Sequence, residues 1–215
     1  MASRTRRDER VTATREALLT AAERLFAEHG VYAVGNRQIS EAAGQGNNTA
    51  VNYHFGTKTD LVRTLVRRHA ERIEVVRVRM LAGVGDSAEL RDWVECSVRP
   101  VTGHLAELGR PSWYARFIAQ VTADPALYAI AEEEFYGASP ALWKVDDGLT
   151  RCVPALSAEV RAERALMTRH LIVQMSVERE RALADGSPAP TWDDTAVGLV
   201  DAIVALWRAP VTRDQ

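Results

Sequence analysis

Helical periodicity runs through almost the whole chain, and this feature restricts its fold more than any other. Apolar residues recur every three to four positions. Alternating Val, Ile and Thr stretches and turn pairs such as Asn-Gly, which would indicate strands and hairpins, are nearly absent. The sequence therefore predicts an all-α protein of about nine helices.

The helix boundaries follow from glycine, proline and capping residues. Asp185-Gly186 ends the longest predicted helix, and Ser157 and Thr191 are typical N-caps of the last two helices. A short helical piece is expected after Pro140, followed by a loop near Gly148. The other predicted helices cover residues 14–29, 37–43, 49–54, 58–81, 88–108, 111–123, 125–136, 157–184 and 191–208.

Charge is distributed unevenly along the 215 residues, although the formal net charge is only −2. Residues 1–70 contain 11 Lys and Arg against 7 Asp and Glu, whereas the remaining residues contain 16 against 22. A basic first part suits a polyanionic partner such as nucleic acid, and an acidic second part avoids one. Since 47% of the residues are apolar, the chain can also bury a substantial core.

Residues 40–61 have the layout of a helix-turn-helix. A short helix ends at Gly44, a polar turn follows, and a second short helix ends at Tyr53-His54-Phe55 before a longer helix begins. In this motif the second helix enters the major groove of DNA. The turn before it contains asparagines and a threonine, whose side chains can read adenine edges and thymine methyl groups. Such a polar cluster would be unsatisfied in a core, so we expect it to face water or DNA.

Basic residues lie on both sides of this motif. Arg4, Arg6, Arg7 and Arg10 form a basic arm before the first helix, which either reaches DNA phosphates and the minor groove or remains a solvated tail. Lys58 lies in the first turn of the fourth helix, where a cation opposes the helix dipole. That position is favourable if an anion such as a DNA phosphate docks at the helix N-terminus.

Several motifs occur in a characteristic order in the first third of the chain. They are Ala21-Ala22-Glu23-Arg24-Leu25-Phe26 with Gly30, then Ile39-Ser40-Glu41-Ala42-Ala43-Gly44, then Tyr53-His54-Phe55 and Lys58. In this order they resemble the DNA-binding domain of the TetR family of bacterial transcriptional regulators, over residues 14–69. Two features depart from the usual pattern. Gly35 replaces a hydroxyl residue, with Asn36 as the expected cap, and the turn after Gly44 is one residue longer.

The resemblance implies a three-helix DNA-binding head and a larger helical body that binds a ligand and dimerises through its last two long helices. The expected domains are residues 1–57 and 58–215. Beyond about residue 75 the similarity rests on helix number and length alone. It implies a repressor that binds a palindromic operator in double-stranded DNA as a homodimer. A small-molecule effector then releases the protein, with the fourth helix as the lever.

The resemblance also assigns roles within the head. Tyr53, His54 and Lys58 match phosphate contacts of the family, and base reading is expected from the N-terminal part of the recognition helix. The predicted DNA-binding residues are Arg37, Asn47, Asn48, Thr49, Ala50, Asn52, Tyr53, His54, Thr57 and Lys58.

Aromatic side chains are concentrated in the middle helices of the body. An apolar space between helices with a few polar groups is a common ligand site in such a bundle. The predicted ligand-binding residues are Trp93, Trp113, Phe117 and Tyr128, with His170 and Gln174 as polar partners. An ordinary core position is the alternative for each aromatic residue.

The last two long helices are apolar over more than one stripe, which is too wide for a helix that packs on one neighbour. A symmetric four-helix interface between two chains explains this width, and burial within one chain is the alternative. The predicted interface residues are Met167, Leu171, Met175, Leu199, Val200, Ile203 and Trp207.

Metal, disulfide and membrane functions find little support in the sequence. Cys96 and Cys152 lie 56 positions apart without a CxxC motif, so we expect no disulfide framework, no metal site and a reducing, cytoplasmic environment. The N-terminus has no apolar signal-peptide segment, and no run of about 18 apolar residues is present.

Enzymatic motifs are also missing from the sequence. There is no HExxH, no glycine-rich phosphate loop and no plausibly spaced Ser/His/Asp or Cys/His set, so we expect neither an enzyme nor a cofactor. The run Glu132-Glu133-Glu134 is expected to be a solvated face. Two rival functions remain, a DNA-binding regulator controlled by a protein partner and, more distantly, an all-helical enzyme.

Overall fold

The computed structural model describes residues 2–47, 49–137, 139–188 and 190–212. For residues 2–7 and Tyr136 it describes the backbone but not the side chain. Within the described residues there are ten helices and no strand. The all-α prediction is confirmed, and the tenth helix is the piece expected after Pro140. The helices are α1 (Ala2–His29), α2 (Asn36–Ala42), α3 (Ala50–Phe55), α4 (Lys58–Val84), α5 (Leu90–Leu108), α6 (Tyr114–Ala123), α7 (Pro125–Gly137), α8 (Pro140–Cys152), α9 (Ala158–Ala184) and α10 (Trp192–Arg208).

The first helix is longer than its sequence pattern predicts. α1 begins at Ala2 rather than near residue 14, so the backbone of the expected basic arm is helical. The side chains of Arg4, Arg6 and Arg7 lie outside the described part of the structure. Gly30 ends the helix as predicted, with a positive φ of 85° that a glycine adopts without strain.

The chain forms two compact units. The first unit contains Met1–His69 and Arg116–Phe135, and the second contains Ala70–Ala115 and Tyr136–Gln215. The unit boundaries fall inside α4, α6 and α7, so each of these helices contributes residues to both units. The DNA-binding head expected at residues 1–57 lies within the first unit.

The first unit has an apolar core that supports the helix-turn-helix. Leu18, Ala22 and Phe26 of α1 are fully buried together with Leu61 of α4. The ring of Phe26 stacks on that of Phe117 with 6.1 Å between the centroids. The helices α2 and α3 both rest on this apolar core.

The acidic run on α7 is not the solvated face that its sequence suggests. Glu134 is only 6% exposed, and its carboxylate accepts hydrogen bonds from Arg67 Nε at 2.6 Å and from Arg63 Nη1 at 2.8 Å. Glu133, which is exposed, also pairs with Arg63. A short stretch of sequence around Glu134 does not reveal this contact, because the two arginines come from α4.

The second unit is built around α5, which packs against α8 and α10. Trp93 of α5 is buried and lies so close to Gly148 that a Cβ at this glycine would come within 2.2 Å of the indole ring. The loop predicted near Gly148 is therefore wrong, because α8 continues through it to Cys152. The glycine permits the close approach of α5 and α8 and does not end the helix.

The longest helix of the second unit buries several polar residues, while several of its apolar residues are exposed. The buried face of α9 carries Arg164, Thr168, Ile172, Ser176 and Glu180 at intervals of four. Thr168 Oγ1 accepts a hydrogen bond from Trp207 Nε1 at 2.9 Å, and Arg164 donates to carbonyls at the end of α10. The helix therefore turns its apolar stripe away from its own unit.

The predicted interface residues divide between core and surface. Leu199, Val200, Ile203 and Trp207 of α10 are at most 4% exposed and belong to the core around α5. The prediction that these four residues form the interface needs correction, because their side chains are already covered by residues of their own chain. The remaining three stay accessible: Met167 and Met175 are exposed, and Leu171 is half-buried.

Candidate nucleic-acid interface

The recognition helix α3 is held on the first unit by three buried side chains. Ala50, Val51 and Phe55 are at most 9% exposed and face the core. The prediction that Ala50 contacts DNA needs correction, since its methyl group is turned inward beside Val51. Asn52 and Tyr53 are exposed on the opposite side, and Tyr53 is 77% exposed.

The turn before α3 is organised by Asn47. Its Oδ1 accepts hydrogen bonds from the backbone N–H of Thr49 at 2.9 Å and from the Thr49 hydroxyl at 2.7 Å. Asparagine is typical of such turns because its side chain bonds the backbone two residues on. These two hydrogen bonds use the Oδ1 of Asn47 within the turn and do not involve its amide N–H groups. Asn48, also predicted to bind DNA, lies outside the described residues.

Asn52 is oriented by a side chain from α2. The Nδ2 of Asn36 donates to Asn52 Oδ1 at 2.7 Å. The sequence suggested Asn36 as the cap of α2, but Asn36 is the first residue of that helix. Gly35 occupies the N-cap position, and its N–H donates to Gln38 Oε1 at 2.7 Å. This asparagine pair links the first turn of α2 to the exposed face of α3.

Tyr53 and His54 form an edge-to-face pair at the C-terminal end of α3. Their ring centroids lie 5.0 Å apart with an angle of 88° between the ring planes. His54 is half-buried, whereas the Tyr53 ring projects into solvent. The exposure of Tyr53 leaves its phenol accessible to a partner.

The start of α4 is already occupied by groups of the protein itself. Thr57 and Asp60 form a capping box, in which Asp60 Oδ2 accepts from Thr57 Oγ1 at 2.6 Å and from its N–H at 3.1 Å. The hydrogen bond from the Thr57 hydroxyl, followed by that from its N–H, lowers the pKa of Asp60. Lys58 Nζ donates to the carbonyl oxygens of Val34 at 2.6 Å and Val31 at 3.3 Å. An ammonium has three donors, so one of the Lys58 N–H groups remains for a phosphate.

Arg37 is held by an acidic neighbour. Its Nε lies 2.7 Å from Glu41 Oε1, one turn further along α2, and both side chains are largely exposed. The hydrogen bond and the charge of Glu41 raise the pKa of Arg37. The spacing of four residues could have indicated this pair from the sequence.

The sequence reasoning missed contacts that fix this surface from outside α3. The side chains concerned are Arg15, Asn36, Glu41 and Asp60. Glu41 and Asp60 were detectable as a helical pair and a capping box, but no local pattern links Arg15 or Asn36 to α3. Together these groups leave an exposed polar surface on α3, flanked by Arg37 and Lys58, that suits a nucleic-acid backbone and its base edges.

The six predicted ligand-binding residues lie in different surroundings. Trp93 is packed in the core of the second unit, and Phe117 is packed in that of the first unit. Trp113 and Tyr128 are half-buried, and Tyr128 donates to Glu132 Oε1 at 3.3 Å. His170 and Gln174 are exposed on the outer side of α9. Their assignment to a ligand site stays a prediction.

The cysteines are separate and differ in accessibility. Cys96 is fully buried, and burial raises the pKa of its thiol to about 11. Cys152 is half-buried, and burial also raises its pKa. Among the described residues, no group of three or more His, Cys, Asp or Glu side chains is placed to hold a metal ion.

None of the described helices combines the length and the apolar character needed to cross a bilayer.

Comparisons with known proteins agree with this geometry. Residues 18–65 match the family model described as bacterial regulatory proteins, tetR family. The HTH-type transcriptional repressors AcnR of Corynebacterium glutamicum and Corynebacterium efficiens are 36% and 35% identical to the chain over 88 and 86 residues. These alignments cover 39% and 38% of this chain and 46% and 45% of the two relatives, so less than half of each relative is matched.

A solved structure shares the fold over nearly the whole chain. It is a TetR family transcription regulator from Marinobacter aquaeolei VT8, with a TM-score of 0.59 and 16% identity. The similarity covers 93% of this chain and 96% of that one. At this level of identity the likeness concerns the fold alone.

Proposed function

We propose that the chain is a member of the TetR family of bacterial regulatory proteins, whose family model matches residues 18–65, and that it is a transcriptional repressor of the cytoplasm. It binds a palindromic operator as a homodimer and leaves it when a small-molecule ligand binds the second unit. The observation that carries this proposal is the exposed polar face of α3, with Asn52 and Tyr53 outward and Val51 and Phe55 in the core. The AcnR relatives are named as repressors, which supports this direction of control.

We infer the contacts to DNA from the hydrogen-bond donors that remain available on each side chain. Tyr53, Arg37 and the remaining N–H of Lys58 reach phosphates, because all three lie around the ends of α2 and α3. Thr49 and Asn52 read base edges from the groove-facing side of α3. Phosphate contacts give affinity and register, whereas base contacts give sequence preference.

The homodimer is supported by the unusual polarity of α9. Leu166, Met167 and Met175 are 42–47% exposed on its outer side, while Arg164, Thr168 and Glu180 on its inner side are hydrogen-bonded. Val197 of α10 is exposed as well. An apolar surface of this kind is stabilised when another surface covers it, and a second copy supplies a matching surface across a two-fold axis. Two copies then present two α3 helices to half-sites about 34–36 Å apart.

The α10 face of this interface is shifted from the one predicted. Its exposed residues are Val197, Gly198, Asp201, Ala202 and Ala205, one side of the helix away from the buried Ile203, and Asp201 pairs with Arg91 of α5. Small side chains here allow two helices to approach closely. The interface proposed is therefore formed by the outer sides of α9 and α10.

Ligand binding in the second unit is supported by polar groups in its interior. The hydroxyl of Ser176, on the buried face of α9, is fully enclosed and has no hydrogen-bond partner among the described residues. His104 of α5 is 1% exposed and lies edge-on to the ring of Tyr114, with 5.5 Å between the centroids. A buried hydroxyl without a partner is uncommon in native proteins, and a ligand with a polar group would satisfy it.

The repressor acts as a two-state switch. Ligand shifts the equilibrium only to the extent that it binds the DNA-incompetent state more tightly than the competent one. The effect is reciprocal, so operator DNA weakens ligand binding by the same factor. Occupancy of the operator blocks access of RNA polymerase to the promoter.

Selection of duplexes from a random pool tests this function directly. The full-length protein is immobilised, and bound duplexes are recovered and sequenced over several rounds at moderate salt. The expected result is enrichment of a palindrome with half-site centres about 10 base pairs apart. Recovery of duplexes without any shared sequence would overturn the proposal.

A further inference from the structure

The recognition helix is too short to hold its own position. α3 has six residues, and isolated helices shorter than about 12–15 residues are marginal in water. Its buried side chains fix its depth on the core, while the carbonyls of its last turn depend on groups outside the helix for partners. The contacts at that end therefore decide how the exposed face is presented.

The C-terminal end of α3 is held by an arginine of α1. Arg15 Nη1 donates to the carbonyl oxygen of His54 at 2.9 Å, and its guanidinium carbon lies 4.4 Å from the centre of the Phe55 ring. Carbonyls in the last turn of a helix lack partners within the helix and carry its negative dipole end. A planar cation that donates to such a carbonyl and stacks on the adjacent ring satisfies both groups at once.

The position of Arg15 is itself fixed by the core. It lies one turn before the buried Leu18 and Leu19 on α1, so its stem leaves a rigid helix. Phe55, on which it stacks, is only 9% exposed. The link from α1 to the end of α3 is thus short and supported at both ends, and the exposed Asn52 and Tyr53 directly precede the residues that it holds.

We propose that Arg15 is a positioning residue for sequence recognition, acting on DNA through α3 rather than by touching it. This inference rests on the proposed function. It assigns to Arg15 the tilt of α3, and hence the register of its exposed side chains in the groove. Lysine cannot replace it, because an ammonium lacks the planar face and the fork that the ring and the carbonyl require.

The test compares Arg15→Lys with Arg181→Lys in the full-length protein, on the selected palindrome and on a scrambled duplex, over a series of salt concentrations. For Arg15→Lys we expect affinity for the palindrome to fall about tenfold, as for a lost charge-assisted contact. Affinity for the scrambled duplex and the slope of log K against log salt should stay at the wild-type values. Arg181→Lys retains its charge in an exposed pair with Glu178 on α9, outside the proposed DNA-binding surface, so it is the matched control and should bind both duplexes as the wild type does.

Two outcomes would overturn the positioning role. One is an equal loss of affinity on both duplexes, together with a slope of log K against log salt that is reduced by about 1 in the charge-removing variant Arg15→Gln. This result would mean that Arg15 contacts a phosphate itself. Unchanged affinity on both duplexes would mean that it has no role in recognition.

A second measurement needs no DNA and separates this inference from the proposed function. Amide hydrogen exchange in the free protein should be several-fold faster at Phe55 and Gly56 in Arg15→Lys, while α2 keeps the wild-type rates. Unchanged exchange in α3 would contradict the inference even if the protein proves to bind a palindrome. If exchange changes as expected but no duplex is bound by the wild type, the proposed function fails and the role of Arg15 in α3 stands.

Discussion

The guanidinium of Arg77 in α4 takes the place of a backbone N–H that Pro100 removes from α5. Proline at position 100 cannot donate to the carbonyl of Cys96, four residues earlier, and Arg77 Nε donates to that carbonyl oxygen at 3.3 Å. The same side chain donates to Ser139 Oγ at 3.0 Å and to Glu74 Oε2 at 3.2 Å. Both charged residues are buried, and together these bonds join α4, α5 and the start of α8.

Removing this arginine should destabilise the second unit strongly. Arg77→Met leaves the Glu74 carboxylate buried without its counter-charge, and breaking a buried pair in this way costs about 3–5 kcal/mol. Equilibrium denaturation should show this loss in the free energy of unfolding. Arg181→Met is the matched control, because its pair with Glu178 is exposed on both sides and should change stability by less than about 1 kcal/mol.

The proline explains part of that cost and can be tested separately. Pro100→Ala restores the N–H that bonds the Cys96 carbonyl, so the double variant Arg77→Met/Pro100→Ala should recover part of the lost stability. Equal stability of wild type and Arg77→Met would show that the buried network contributes nothing.

Stability should depend on pH through Glu134. The hydrogen bond from Arg67 is the largest cause that lowers the pKa of this carboxyl from its ordinary value of 4.5, and the bond from Arg63 adds to it, against the opposing effect of burial. Because the folded pKa lies below the unfolded one, the stabilisation is present above pH 4.5 and is lost as the pH falls through the folded value. Glu134→Gln should therefore cost about 1–3 kcal/mol at pH 7.

The difference between wild type and Glu134→Gln should shrink as the pH is lowered below 4.5. Denaturation curves of both proteins between neutral and acid pH provide this comparison. A difference that stays constant over the whole range would mean that Glu134 is not stabilised as a carboxylate.

Binding to DNA should become tighter when Glu41 loses its charge. Glu41 holds Arg37 by an exposed ion pair on the surface that we propose faces the phosphates. Glu41→Gln removes a negative charge and frees the guanidinium, so affinity for the operator should rise about three- to tenfold at low salt. Fluorescence anisotropy with a labelled duplex measures the change. The exposed Glu107 of α5 provides the control, since Glu107→Gln should leave affinity unaltered, and weaker binding by Glu41→Gln would contradict the proposed DNA-facing surface.

A charge on the outer side of α9 should separate the two chains of the dimer. Met175 is 47% exposed on that side, and Met175→Asp would place a carboxylate in the proposed apolar interface. Sedimentation should then give the mass of one chain, 23.8 kDa, where the wild type gives twice that mass. Val78→Asp on α4 is a control of similar exposure and should remain dimeric. A dimer that tolerates Met175→Asp would place the interface elsewhere.

Local patterns were sufficient for much of the fold. The N-caps Ser157 and Thr191 were predicted from the sequence, and each accepts a hydrogen bond from the backbone N–H three residues on. The predicted end of α1 at His29, before Gly30, is also confirmed. These features depend on neighbours within one or two helical turns, and a sequence window contains those neighbours.

Other features depend on residues far apart in the chain. Gly148 resembles a helix breaker until Trp93 is placed against it. The apolar stripe of α9 resembles a core face, because nothing in its spacing shows that Arg164 and Glu180 find buried partners on α10 and before α6. In α3 the helix has only six residues, which are too few for their periodicity to place Ala50 on the inner side.

The composition of the complex on the selected operator tests the central proposal most directly. Sedimentation of the full-length protein with a duplex carrying both half-sites, and with one carrying a single half-site, gives the number of chains bound to each. We expect two chains on the complete palindrome, with half-site centres about 34–36 Å apart, and much weaker binding to the single half-site. A single chain bound with equal affinity to both duplexes would contradict a dimeric repressor.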